Sequence, residues 1–195
     1  MFKRTKGYLL LTMLVLTGLA GRLHSDTLSG KERRILIKEL KTSRAQLAGA
    51  IEGLSNKQFN FKSSKSGASI KECIYQLAFI ENELWIKADL SLKQEASVEK
   101  PDVRDDDLPS LITDEKLAGN KTKFKTIREA LKLYKNNRNE MQKFVNTSTE
   151  NIRAHIIQTS FGNLDVYQIV LLNTLLTQRY IREIQTVRSN PNFPK

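Results

Sequence analysis

The sequence predicts an all-α protein, a four-helix bundle with a long crossover between helices two and three. Three observations carry that expectation: four capping signatures that each precede an apolar stripe of helical period, a scarcity of helix breakers, and one long charged link in mid-chain. The chain has 195 residues, 39% of them apolar, enough for one continuous core without disulfides. It holds 9 glycines and 4 prolines, and two of the prolines, Pro191 and Pro194, lie at the extreme C-terminus. Helix interiors are therefore largely spared residues that remove a backbone donor or add backbone freedom.

Residues 1–25 come first and have three parts: a basic start from Met1 to Lys6, an apolar run from Tyr8 to about Ala20, and small residues at Ala20, Gly21 and Ser25. That is the layout of a secretory signal peptide. The run is shorter than the ~20 residues a membrane-crossing helix requires. Cleavage after Ala20 or Ser25 is expected, and membrane contact only through this segment if it is retained. No cysteine stands near either point, so a lipid-modified terminus is not expected. The expected location is exported, periplasmic or extracellular, in a bacterial cell, with one domain over residues 28–195.

Each helix start is sought as Ser, Thr or Asp followed three residues later by Glu or Gln, because the two side chains reciprocally satisfy backbone N–H groups that lack helical partners. Ser29 with Glu32 precedes a stripe of Ile37, Leu40, Leu47, Ile51 and Leu54, which places helix one up to about Leu54. Ser69 with Glu72 precedes Ile70, Cys73, Ile74, Leu77, Ile80 or Glu81, Leu84 and Ala88, with Trp85 beside them; helix two is expected to end in the mid-nineties, before Pro101. Thr126 with Glu129 opens helix three, striped by Ile127, Ala130, Leu131, Tyr134, Met141, Phe144 and Val145, ending near Asn146. Asp165 with Gln168 opens helix four, with Leu164 and Ile169 placed for a hydrophobic staple, and the helix continues to about Arg188. The same spacing at Ser43 and Gln46 falls inside helix one and is not read as a start. A link of about thirty residues, rich in charge and containing Pro101 and Pro109, joins helices two and three; a link that long is expected to cross the bundle and to carry a short helix near Thr113 to Ala118.

The formal net charge is +11, and the chain stays basic after loss of Lys3, Arg4 and Lys6 with the signal. Solubility and an envelope habitat account for that balance. The basic face Arg128, Lys132 and Lys135, with Lys121, Lys123 and Lys125 before it, suits an anionic surface, but no aromatics interleave with it, so nucleic acid is not an expected partner. His24 and His155 are the only histidines; His24 lies in the processing region, which leaves no histidine-based metal site or triad, and His155 is read as structural. Asp102, Asp105, Asp106 and Asp107 lack the alternating ligands and turn glycine of a calcium loop and are read as a solvated acidic loop. Cys73, the single cysteine, is read as a small core residue.

Two stretches carry a family resemblance. Gly53 to Trp85, GLSNKQFNFKSSKSGASIKECIYQLAFIENELW, resembles the first signature of DinB-like proteins, and Gly162 to Lys195, ending in Asn-Phe-Pro-Lys, resembles that family's last helix and tail. With the spacing between them the resemblance spans Leu28 to Lys195. It implies a four-helix bundle, often a homodimer, whose active members hold a divalent metal with three histidines and act as thiol transferases, hydrolases or isomerases. Those three positions correspond here to Gln76, Leu176 and Tyr180, and the family's Trp before the second helix is Ala68. Leucine cannot ligate, and an ordinary tyrosine stays protonated at neutral pH. The resemblance therefore implies a bundle with no cofactor, in which Gln76 and Tyr180 hydrogen-bond across the interior. A small molecule is the expected partner, held by Gln76, Leu176, Tyr180 and Cys73. The rival expectations are a residual transferase or hydrolase and an envelope binder of anionic polymers.

Overall fold

In the computed structural model, residues 27–64, 67–113 and 124–195 are described. The expected signal peptide and nearly all of the expected helix from Thr113 to Ala118 lie outside them. Four long helices form the body: α1 (Gly30–Ile51), α3 (Ile70–Ser91), α4 (Ile127–Thr147) and α5 (Val166–Arg188). Ser29, Ser69 and Asp165 each close a full capping box with Glu32, Glu72 and Gln168. Thr126 accepts from the Glu129 N–H, but the Glu129 carboxylate turns to the Lys125 N–H at 2.9 Å, one residue outside the cap. α1 stops at Ile51, short of Leu54, because Gly53 adopts φ 71° and turns the chain away. α3 likewise ends at Ser91 rather than in the mid-nineties.

Three further elements fill the connections. Ser55 and Gln58 cap a one-turn helix, α2 (Asn56–Asn60), whose Gln58 Nε2 donates to the Pro194 carbonyl at 3.0 Å. Phe61 meets Phe193 edge-on, with ring centroids 5.5 Å apart, so the C-terminal tail is tied to the first link. A 3-10 turn over Asp105–Leu111 is anchored by fully buried Leu108. Before α5 lies a small antiparallel hairpin, β1 (Ile156–Thr159) and β2 (Gly162–Asp165), the sole departure from an all-helical chain among the described residues. Gly162 has φ 115°, a conformation that favours glycine, and a Cβ there would lie 2.9 Å from Asp102 Oδ2 and displace that carboxylate. The acidic segment is solvated at Asp102, Asp106 and Asp107, as expected, but it is also attached: Asp102 accepts from the Asn163 N–H at 2.7 Å, and its own N–H donates to the Asn163 carbonyl at 2.8 Å.

Cross-helix partners give the directions. Arg33 of α1 donates to the carbonyls of Val145 and Ser148, while Arg44 reaches Asn139, so α1 and α4 are antiparallel. Gln76 meets Tyr180 and Cys73 meets Glu183, so α3 and α5 are antiparallel. Gln178 meets Glu39 and Arg188 meets Ala50, which makes α1 and α5 parallel neighbours. Asn82 meets Asn137 and Trp85 packs on Phe144, so α3 and α4 are parallel as well. Two consecutive helices that run the same way need a link as long as the bundle, which is the physical reason for the crossover.

At the centre lies a buried ion pair. Arg138 of α4, 1% exposed, holds Glu81 of α3, 0% exposed, through Nε at 3.1 and 3.0 Å and Nη2 at 2.8 Å. Its Nη1 donates to Ser43 Oγ of α1 at 3.2 Å, and its Nη2 donates to the Asn173 carbonyl of α5 at 2.8 Å and to Thr177 Oγ1. One guanidinium thus touches all four long helices. Burial pushes the Glu81 carboxyl up against the opposing pull of Arg138. Removing one member of such a pair strands the other charge, whereas replacing both by apolar groups of similar volume is tolerated. Arg138→Ala is expected to lower stability in urea unfolding by about 3–5 kcal/mol, and Glu81→Leu with Arg138→Met to recover most of that loss. A single variant within about 1 kcal/mol of wild type would contradict the assignment.

Candidate functional site

The face that the resemblance singles out is built where α3 and α5 run antiparallel. Spacings of three on α3 and of four and three on α5 stack Cys73 with Gln76, and Leu176 with Tyr180 and Glu183. Tyr180 Oη donates to Gln76 Oε1 at 3.3 Å, the hydrogen bond expected from the sequence. Leu176 and Cys73 are 0% exposed and Tyr180 1%, while Gln76 is half-buried. One turn further along, the Cys73 thiol points at Glu183 Oε2, 3.6 Å away, and Arg179 Nη2 donates to the other Glu183 oxygen at 2.9 Å.

The electrostatics keep protons on this cluster. Burial, followed by the field and hydrogen bond of Glu183, pushes the Cys73 thiol up to about 12. Burial likewise raises the Tyr180 phenol, with the Glu183 charge adding to it. A reactive cysteine needs the opposite setting, a cation or helix N-terminus that favours thiolate. At neutral pH the cluster presents a thiol and a phenol that donate, and an amide oxygen and a carboxylate that accept.

The donor set does not fit the metal that the family resemblance implies. Leu176 offers hydrocarbon, Tyr180 a phenol held protonated, and Gln76 an amide oxygen already accepting that phenol. Divalent transition metals favour imidazole or thiolate, or ionised oxygens. Among the described residues no group of three His, Cys, Asp or Glu side chains is placed to hold a metal ion. His155 lies at the other end of the bundle, with Nδ1 2.9 Å from the Ser91 carbonyl.

That other end holds a second cluster. Arg153 pairs with Glu32 at 2.8 Å, Asp105 at 2.7 Å and Asp165 at 3.0 Å, and its guanidinium lies 3.9 Å from the centre of the Tyr167 ring. Gln168 adds a bond to Asp105 Oδ1 at 3.1 Å and one to the Val103 carbonyl at 2.9 Å. Burial works upward on Asp105, but the Arg153 hydrogen bonds prevail and hold its carboxyl low, whereas burial of Asp165 wins and lifts it to about 6. Every strong polar group here is engaged with another, so the cluster fastens the crossover, the hairpin and two helix starts together. Asp105 is therefore a structural carboxylate, while Asp106 stays exposed.

The architecture defines the class of fold: a four-helix bundle whose first and last helices are parallel neighbours and whose middle pair is joined by a long crossover. No protein-family model and no curated protein sequence matches the chain. Among solved structures, it is similar to YfiT from Bacillus subtilis, described as a "probable metal-dependent hydrolase with an unusual four-helix bundle topology", with a TM-score of 0.62 and 16% identity over 86% of this chain and 92% of that one. At this identity the likeness shows the fold alone, a four-helix bundle as expected from the sequence.

Two partners in the cluster, Glu183 and Arg179, were not foreseen. Their signal is positional, since Glu183 stands three residues beyond Tyr180 and so faces the turn of α3 that carries Cys73. The shielded thiol is expected to resist iodoacetamide at pH 8 for as long as the chain stays folded, and to be alkylated fully in urea. Rapid labelling of native protein, followed by mass spectrometry, would show that the thiol is accessible or ionised and would remove this account of Cys73.

Proposed function

We propose that the chain is an exported DinB-like binding or interaction module in which a hydrogen-bonded contact stands where active relatives hold their metal. The observation that carries this reading is the Tyr180 to Gln76 hydrogen bond at 3.3 Å beside fully buried Leu176. The contact fills the interior with a phenol, an amide and a hydrocarbon. A ligand at this face would meet the outer edge of Gln76 and the Glu183–Arg179 pair rather than an open coordination position. The apolar run between Tyr8 and Ala20 supports export.

The rival reading, a residual transferase or hydrolase, separates on metal content. Purified mature protein is expected to contain no stoichiometric zinc or nickel by elemental analysis, and neither metal is expected to raise its melting temperature, because only a ligand that prefers the native state does so. The triple variant Gln76→His, Leu176→His and Tyr180→His restores three imidazoles and is expected to gain one bound metal per chain. Tight metal binding by the wild-type interior favours the enzyme and overturns the proposal. Export is checked on its own: in a bacterial host the mature chain is expected to start at Gly21 or Asp26, and an intact Met1 terminus in the cytoplasm would refute that part.

A further inference from the structure

The side of α5 turned away from Tyr180 faces α1 across a groove of about 660 Å³. Its floor is apolar, made by Ala50 and Ile181, both largely buried. The amides of Gln46, Gln178 and Gln185 stand along its walls, with the guanidiniums of Arg182 and Arg188. Among the described residues no carboxylate lines it. Glu39 marks one end, accepting from Gln178 Nε2 at 3.5 Å, and at the other end Arg188 Nη1 donates to the Ala50 carbonyl at 2.6 Å. Arg182 makes no ion pair among the described residues. Gly49 forms a low lip, since a Cβ built on it meets nothing within 4 Å.

These side chains select a ligand chemistry. A primary amide both donates and accepts, which matches hydroxyl groups, while a guanidinium only donates and matches carboxylates. The two arginines are six residues apart, about 9 Å along the helix axis, so their charges suit an extended ligand with more than one acid better than a single small anion. A peptide would find few backbone partners here, because helical N–H and C=O groups are already paired and the Ala50 carbonyl is taken by Arg188. We infer that the α1–α5 groove is a binding site for an acidic carbohydrate, hydroxylated rings bearing carboxylates, seated on Ala50 and Ile181 with its acids toward Arg182 and Arg188. The site lies across α5 from the Gln76 to Tyr180 contact and does not depend on how that contact is read.

Titration calorimetry on the mature chain tests it with three probes: oligogalacturonate, maltopentaose as a neutral sugar, and poly-L-glutamate as an acidic chain without sugar hydroxyls. Oligogalacturonate is expected to bind, and the other two to bind at least about tenfold more weakly. Arg182→Gln, on an exposed side chain, is expected to weaken binding about tenfold. Gly49→Leu is expected to fill the groove and abolish binding with no fall in melting temperature, because the position is open and helical. Changing Arg128, Lys132 and Lys135 on α4 to Gln is expected to leave binding unchanged. The inference is overturned by absent binding, by equal binding of poly-L-glutamate or maltopentaose, or by groove variants that bind like wild type. It is equally overturned if the α4 variant loses binding as the groove variants do, since net charge would then explain the affinity.

Discussion

A single guanidinium at the middle of the bundle constrains everything around it. Arg138 is withdrawn from water and must find acceptors in fixed directions, and it finds them on Glu81, Ser43, Asn173 and Thr177, one set from each of the other long helices. An apolar core tolerates a helix sliding or rotating by a residue, because hydrocarbon contacts are interchangeable. A planar fork with directional donors does not, so a slip of any helix would leave a buried charge unmatched. Such a pair adds little net stability over hydrocarbon, yet it selects one register among the packings that the apolar stripes alone would allow. The Tyr180 to Gln76 contact lies about one turn from Thr177 on α5, so the same register aligns the phenol with the amide.

The helix directions follow from how the chain must return. α3 and α4 run the same way, and the segment between them has to climb the bundle's full length. At its start that segment is held by Leu108 in the core, by Asp105 on Arg153 and by Asp102 on the hairpin. Charged residues that look merely soluble in the sequence thus serve as attachment points. The bundle gains a fastened lower end, where Arg153 gathers the caps of α1 and α5, and the opposite end is closed by Gln58 and Phe61 against the tail.

How much of this was legible in the residues depends on whether the information is local. Capping boxes and apolar periods are local, and they placed all four long helices to within a few residues. Ser55 with Gln58 obeys the same rule, but no apolar run follows, so the one-turn α2 gave no periodic signal. The central ion pair left a trace: the stripe of helix three jumps from Tyr134 to Met141, and the intervening inward positions belong to Asn137 and Arg138, both buried. Helix two carried the matching anomaly where Glu81 fell beside Ile80 on the inner face. Two opposite charges in two core stripes are a readable pair once they are considered together. The Arg153 cluster is different, because its members sit in two connections and two helix starts, and no spacing rule brings those together. The Gln76 to Tyr180 contact was legible only through the resemblance, which named the two positions as neighbours.

The parallel seating of α1 beside α5 also bears on how the chain is made. The helix with the most buried surface is the last to be synthesised, and Arg138 lacks two of its acceptors, the Asn173 carbonyl and Thr177, until α5 exists. A nascent chain ending after α4 therefore has an exposed arginine, a missing wall and no partner for one flank of α1. Contacts between the first and last helices span most of the sequence, so forming them costs loop-closure entropy before it is rewarded. Closure of the bundle therefore waits on α5, which brings both the last wall and two of the acceptors that Arg138 requires.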